Sequence, residues 1–296
     1  MTPLLIPMPG NSALADELSS SFPCQILSPQ LHRFPDDEVR VTMLGDFSGR
    51  DVHVLCSLER PDDKILPIVF IAELARELGA RRVGLIAPYL AYMRQDIRFN
   101  PGEAISSRPF ARLLSRNFDW LITVDPHLHR YKSLCEIYSI RTHVVHAAPA
   151  LARWISANVP TPILIGPDGE SAQWVSEVAG DCTAPYTVMR KVRHGDRTVD
   201  VEFADTAKLS GRTPVLVDDI ISSGQTMLSA IRALERQSTS APVCLGVHGV
   251  FAGTAYDELV RSGARVLSTN TIGHPSNAVS LGSELATALI TFQASL

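Results

Sequence analysis

Basic residues do not predominate in this chain. Lys and Arg number 27 against 31 Asp and Glu, for a formal net charge of −4 over 296 residues. A surface that binds nucleic acid through bulk positive charge is therefore not expected. Cysteine is sparse as well: Cys24, Cys56, Cys135, Cys182 and Cys244 are odd in number and widely scattered, with no CxxC pair and no metal-ligand spacing. They read as reduced thiols, which excludes a disulfide scaffold or zinc module and fits a cytoplasmic setting. No apolar run reaches the roughly 18 to 20 residues of a membrane span. The opening MTPLLIPMPG has no basic flank before its short apolar run, and proline interrupts that run, so it does not read as a secretory signal. Low-complexity segments are absent. An intracellular globular protein with no membrane partner is expected.

What the chain does contain is a repeated alternation. Short continuous apolar runs such as VHVLCSL, RRVGLIAPYL, FDWLITVD, TPILIGPD and TPVLVDD are separated by amphipathic stretches such as ILPIVFIAELARELGA, APALARWISAN and QTMLSAIRALERQ. Unbroken apolar strands alternating with helices predict mainly parallel sheets covered on both faces. The length accommodates two such α/β units, and the rhythm divides them at residues 1–145 and 146–296. Ligands of such sheets gather beyond the carboxyl ends of the strands. Every unusual motif in the chain falls at such an end.

The most unusual is PVLVDDIISSGQTM, Pro214 to Met227. An apolar strand runs into two adjacent acids, then into small and polar residues at the start of a helix. A helix N-terminus offers unpaired N–H groups and the positive end of the dipole, an anion site. Ser222, Ser223 and Thr226 add hydroxyls, Gln225 adds an amide, and Gly224 allows close approach of the backbone. Asp218 and Asp219 repel a phosphate but suit the hydroxyls of a sugar attached to it. A ribose 5-phosphate meets both demands. The plainer reading, Asp and Ser as helix caps, leaves the second acid without a purpose.

VLVDDIISSGQT resembles the PRPP-binding loop of type I phosphoribosyltransferase folds, and above all that of the ribose-phosphate pyrophosphokinase (PRPP synthetase) family. Other segments resemble the same family in the same order. RFPDDEVRV is similar to its adenine-packing segment, implying that Phe34 stacks on the base while Asp36 and Glu38 accept hydrogen bonds; Asp37 stands where the family has Gly. APYLAYMRQDIRFNPGEAIS is similar to its Arg-Gln-Asp segment, implying ATP contacts from Arg94, Gln95 and Asp96. ITVDPHLHR resembles the family's Asp-Leu-His, implying His127 beside ATP-bound Mg²⁺. LIGPDGESAQW implies Asp168 as the carboxylate for that metal, although Glu170 and Ser171 replace two glycines. VMRKVRHGDRTVDV carries the Lys-x-Arg of the family's catalytic loop as Lys191 and Arg193. In an extended strand these two would share one face.

The resemblance implies two tandem type I phosphoribosyltransferase-like domains, the first holding the ATP motifs and the second the ribose 5-phosphate loop. It implies transfer of diphosphate from ATP to the 1-hydroxyl of ribose 5-phosphate, with Mg²⁺ and with PRPP and AMP as products. It also implies a dimer-based homo-oligomer. Two rivals stay open at this point: a phosphoribosyltransferase that consumes PRPP, and a catalytically silent synthetase-like regulatory subunit.

Overall fold

The computed structural model describes residues 1–169, 171–194, 198–203, 209–237 and 240–294. The chain divides into two compact units. One comprises Met1–Val145 with Thr271–Gly273 and Leu281–Leu296; the other comprises His146–Asn270 with His274–Ser280.

The first unit begins with β1 (Leu4–Pro7), α1 (Ser12–Ser19) and β2 (Gln25–Ile26), followed by a hairpin of β3 (Gln30–Arg33) and β4 (Val39–Thr42). Then come β5 (Asp51–Leu55), α2 (Asp62–Glu77), β6 (Arg82–Ala87), α3 (Ser107–Asn117), β7 (Trp120–Val124) and β8 (Arg141–Val145). Its sheet has the order β2-β1-β5-β6-β7-β8, and every neighbouring pair is parallel. Because side chains alternate along a strand, Val52, Val54, Val83, Leu85 and Leu121 join one core with Ile68, Ile71 and Ala72 of α2 and Phe110 and Leu114 of α3. Asp62 and Asp63 occupy the first turn of α2, where the helix dipole favours acids. The helix closes at Gly79, whose φ of 92° lets Ala80 donate back to the Ala75 carbonyl at 2.9 Å.

The second unit runs through α4 (Ala148–Asn158), β9 (Pro162–Gly166), α5 (Ala172–Asp181), β10 (Tyr186–His194), β11 (Thr198–Phe203), β12 (Thr213–Ile221) and α6 (Gln225–Glu235). It continues with β13 (Val243–Gly249), α7 (Ala255–Arg261), β14 (Arg265–Thr269) and β15 (Asn277–Val279). The sheet order is β11-β10-β9-β12-β13-β14-β15. All pairings are parallel except that of β10 with β11, which is antiparallel. Ile163, Ile165, Leu216, Met227, Ile231 and Leu259 are among the residues of its core.

The closing helix α8 (Gly282–Gln293) belongs to the first unit, although it lies at the end of the chain. There Phe292 packs edge-on against Trp120 of β7, with ring centroids 5.7 Å apart. Among the described residues no helix is long and apolar enough to cross a membrane.

Candidate active site

In the second unit the paired acids lie inside β12 rather than beyond it. The strand continues through Ile220 and Ile221, which pair with His248 and Gly249 of β13. Asp218 is half-buried. Burial raises its pKa well above the usual carboxylate range, and the neighbouring charges of Asp219 and then Asp168 push the same way. Three acids thus converge at the carboxyl ends of two adjacent strands, β9 and β12. Asp168 also shapes its own turn: the Ser171 N–H donates to its carboxylate at 3.2 Å, and the Ser171 hydroxyl donates to its carbonyl at 2.7 Å. The capping use of this residue is therefore present, alongside a position facing Asp218. Glu170 lies outside the described residues.

Ser222 and Ser223 follow β12, and α6 starts after Gly224, whose φ of 72° is left-handed. A Cβ there would also lie 3.3 Å from Leu259 Cδ1 and 3.4 Å from the Ala255 Cβ. Handedness and space both select glycine. No side chain caps α6, so its first N–H groups and the exposed Ser223 and Gln225 suit an incoming anion, with Thr226 half-buried beside them. The Ser222 carbonyl is tied to the Ala252 N–H at 3.0 Å, which fixes the loop from behind.

In the first unit Phe34 sits exposed at the tip of the β3–β4 hairpin. His32 meets its ring edge-on at 4.7 Å, and the Arg40 guanidinium lies 5.7 Å from its centroid. The turn closes through Phe34 N–H to the Glu38 carbonyl at 2.8 Å, and Asp36 accepts the Glu38 N–H at 3.3 Å. Asp37 adopts φ 69°, the region a glycine reaches without strain.

The Arg94–Asp96 run follows Tyr92, another non-glycine residue with positive φ, 62°. Tyr92 donates its hydroxyl to Asp62 at 2.7 Å and packs on Phe110 at 4.8 Å. Arg94 and Gln95 are exposed, whereas Asp96 is buried and paired with Arg130. His127 is half-buried in the segment after β7, its ring 4.0 Å from that of His129. Neither Tyr92 nor Arg130 stood out in the sequence, because each matters through a partner more than 29 residues away. Of Lys191 and Arg193 the structure describes the backbone alone: they lie in β10, in register with Val201 and Val199 of β11.

Two family models match the chain. Residues 4–117 match the family described as the N-terminal domain of ribose phosphate pyrophosphokinase, and residues 136–284 match the phosphoribosyl transferase domain. A ribose-phosphate pyrophosphokinase of Methanopyrus kandleri is 33% identical over 93% of this chain and 93% of its own length. One of Sulfurisphaera tokodaii is 30% identical over 88% of this chain and 90% of its own. The crystal structure of phosphoribosylpyrophosphate synthetase from Mycobacterium smegmatis superposes with a TM-score of 0.85 at 23% identity, covering 99% of this chain and 100% of that one. That likeness establishes the fold, two parallel-sheet units of phosphoribosyltransferase type. The chain belongs to the ribose-phosphate pyrophosphokinase family.

Proposed function

We propose that this enzyme transfers the β,γ-diphosphoryl group of ATP to the 1-hydroxyl of ribose 5-phosphate, giving PRPP and AMP. The carrying observation is the corner where Asp218 and Asp219 precede the uncapped, Gly224-led N-terminus of α6. Acids for a sugar diol and bare N–H groups for its phosphate stand at one strand-to-helix junction. In this reading the second unit binds ribose 5-phosphate, through Asp218, Asp219 and Ser222 to Thr226. Residues 1–145 bind ATP, through Phe34, Asp36, Glu38, Arg94 and Gln95.

The 1-hydroxyl oxygen attacks the β-phosphorus, the bond from that phosphorus to the α,β-bridging oxygen breaks, and AMP leaves with that oxygen. The hydroxyl proton passes to solvent. Such chemistry depends on positioning and on neutralising developing charge more than on covalent help. Arg94 supplies a planar, permanent cation for the phosphates. Lys191 and Arg193 neutralise the transferring group and exclude water that would hydrolyse ATP.

Burial and the converging carboxylates that raise the Asp218 pKa fit a hard, oxygen-preferring cation; Asp168 would hold Mg²⁺ in the second unit, and His127 is the candidate metal contact of the first. When bound, the metal neutralises charge on the triphosphate. A dimer-based homo-oligomer in the cytoplasm completes the reading.

The test is direct. Incubation with ATP, Mg²⁺ and a panel of sugar phosphates is expected to yield AMP and PRPP in equal amounts, identified by mass. Pyrophosphate release from PRPP and a nucleobase, with no AMP formed from ATP, would establish the phosphoribosyltransferase instead. Inertness in both assays would establish the silent subunit.

A further inference from the structure

Asp96 differs from the two residues before it. Arg94 and Gln95 face solvent, but Asp96 is only 4% exposed. Withdrawing a carboxylate from water costs several kcal/mol, which only a well-placed partner offsets. That partner is Arg130, whose Nη1 donates to Asp96 Oδ1 at 2.8 Å.

Arg130 ends the segment that carries His127. The segment holds two non-glycine residues in left-handed conformation, Asp125 with φ 31° and His127 with φ 44°. Each such residue costs about 1–3 kcal/mol and persists only where its surroundings over-determine it. One restraint is local: the His127 N–H donates to the Asp125 carbonyl at 2.9 Å. The Asp96–Arg130 pair supplies another at the far end.

The Arg94–Gln95 turn is restrained on its other side. The Gln95 N–H donates to the Tyr92 carbonyl at 3.0 Å, and the Ser107 N–H at the start of α3 donates to the Gln95 carbonyl at 3.3 Å. Asp96 is thus the point where one anchored turn is joined to a second, strained one. An ion pair with a buried carboxylate and a half-exposed guanidinium adds little stability by itself, since desolvation of the acid consumes much of the attraction. What it adds is a fixed geometry.

We propose that Asp96 and Arg130 form a positioning pair for the reaction, locking the Arg94–Gln95 turn against the His127 segment so that both address one nucleotide. Asp96 then acts through Arg130 and not by touching ATP. The inference rests on the reading of Arg94, Gln95 and His127 as the nucleotide-binding set.

The test compares Arg130→Gln, Arg130→Lys, Asp96→Asn and the Asp96→Asn/Arg130→Gln double variant with the parent, using steady-state kinetics, calorimetric titration with ATP and thermal unfolding. Arg130→Gln is expected to raise the KM for ATP and lower kcat by about tenfold or more, with the KM for ribose 5-phosphate unchanged. Arg130→Lys recovers part of the loss. The double variant is no worse than Arg130→Gln alone, because the two residues act as one unit. Asp96→Asn, near-isosteric and uncharged, carries the test where Arg130→Gln fails to fold. A lowered unfolding temperature with unchanged ATP affinity and kcat would overturn the proposal, leaving a structural pair only. Arg94→Ala, measured in parallel, separates the two levels. If it leaves the KM for ATP unchanged, the nucleotide reading falls and the strut with it. If it raises that KM while neither Arg130→Gln nor Asp96→Asn does, the strut alone falls.

Discussion

The Gln293 side chain, in the last helix, donates a hydrogen bond of 2.7 Å to Nε2 of His53, in the middle of β5. The two residues are 240 positions apart, and His53 is fully buried between Phe22 and Trp120. Burial in this apolar setting lowers the His53 pKa to about 4. In the unfolded chain its ordinary value is 6.5, so between the two values the unfolded state holds more protons. Stability must therefore fall as pH drops through that window, by up to about 3 kcal/mol at its lower end. Denaturant unfolding followed from about pH 7 to pH 5 is expected to show this loss, and His53→Gln should flatten it. An equal slope in parent and variant would mean that other groups carry the acid sensitivity.

Gly84 offers a second, sharper test of the same face of the sheet. It lies in β6 beneath the Trp120 indole, and a Cβ at position 84 would fall 1.9 Å from Trp120 Cε2. Neither the strand nor the buried indole can yield by that much without disturbing β7. Gly84→Ala is expected to cost about 3 kcal/mol or more, at the upper end for overpacking. Trp120→Leu vacates the same space, so the double variant should be more stable than the sum of the two single losses implies. Strict additivity in chemical denaturation would show that the two residues do not compete for the volume.

The alternation of strands and helices was legible because buried parallel strands are written as unbroken apolar runs, as in Pro162–Gly166 and Trp120–Val124. The Gly224 loop was legible for a related reason: its chemistry is local, with acids, hydroxyls and a left-handed glycine adjacent in the chain. Asp96 was not. Resemblance implied an ATP contact for it beside Arg94 and Gln95, and its burial depends on the guanidinium of Arg130, 34 residues away. The placement of α8 was equally hidden. Its apolar face suits any sheet, and nothing in Gly282–Gln293 names Trp120 and His53 as its partners. The extent of β12 past its acids depends on β13 continuing beside it.

Asp218 is held at a cost to stability. Its pKa is raised by burial, by Asp219 and by Asp168, so the folded protein binds a proton there more tightly than the unfolded chain does. Above the ordinary carboxylate pKa this opposes folding, and stability contributed by the protonated group is lost as pH rises. Asp218→Asn removes the repelled charge. At neutral pH the ligand-free variant should unfold at a higher temperature than the parent, while its KM for ribose 5-phosphate rises by about tenfold or more. Mg²⁺ should raise the unfolding temperature of the parent more than that of the variant, since the cation relieves the same repulsion. A variant no more stable than the parent would show that Asp218 is not held at a cost.

Lys191 decides whether the basic run of β10 takes part in chemistry or only covers a sheet edge. Its backbone is paired in register with Val201 of β11, two positions before the Arg193–Val199 pair. Cations that meet the substrate only as charge develops lower the barrier without strengthening ground-state binding. Lys191→Ala should therefore reduce turnover by about a hundredfold or more, while ribose 5-phosphate affinity measured by titration stays near that of the parent. A lysine that merely solvates the strand would show neither effect, and AMP would form from ATP and ribose 5-phosphate at close to the normal rate. A loss of sugar-phosphate affinity matching the loss of turnover would instead assign Lys191 to binding, and the transferring diphosphoryl group would need another cation.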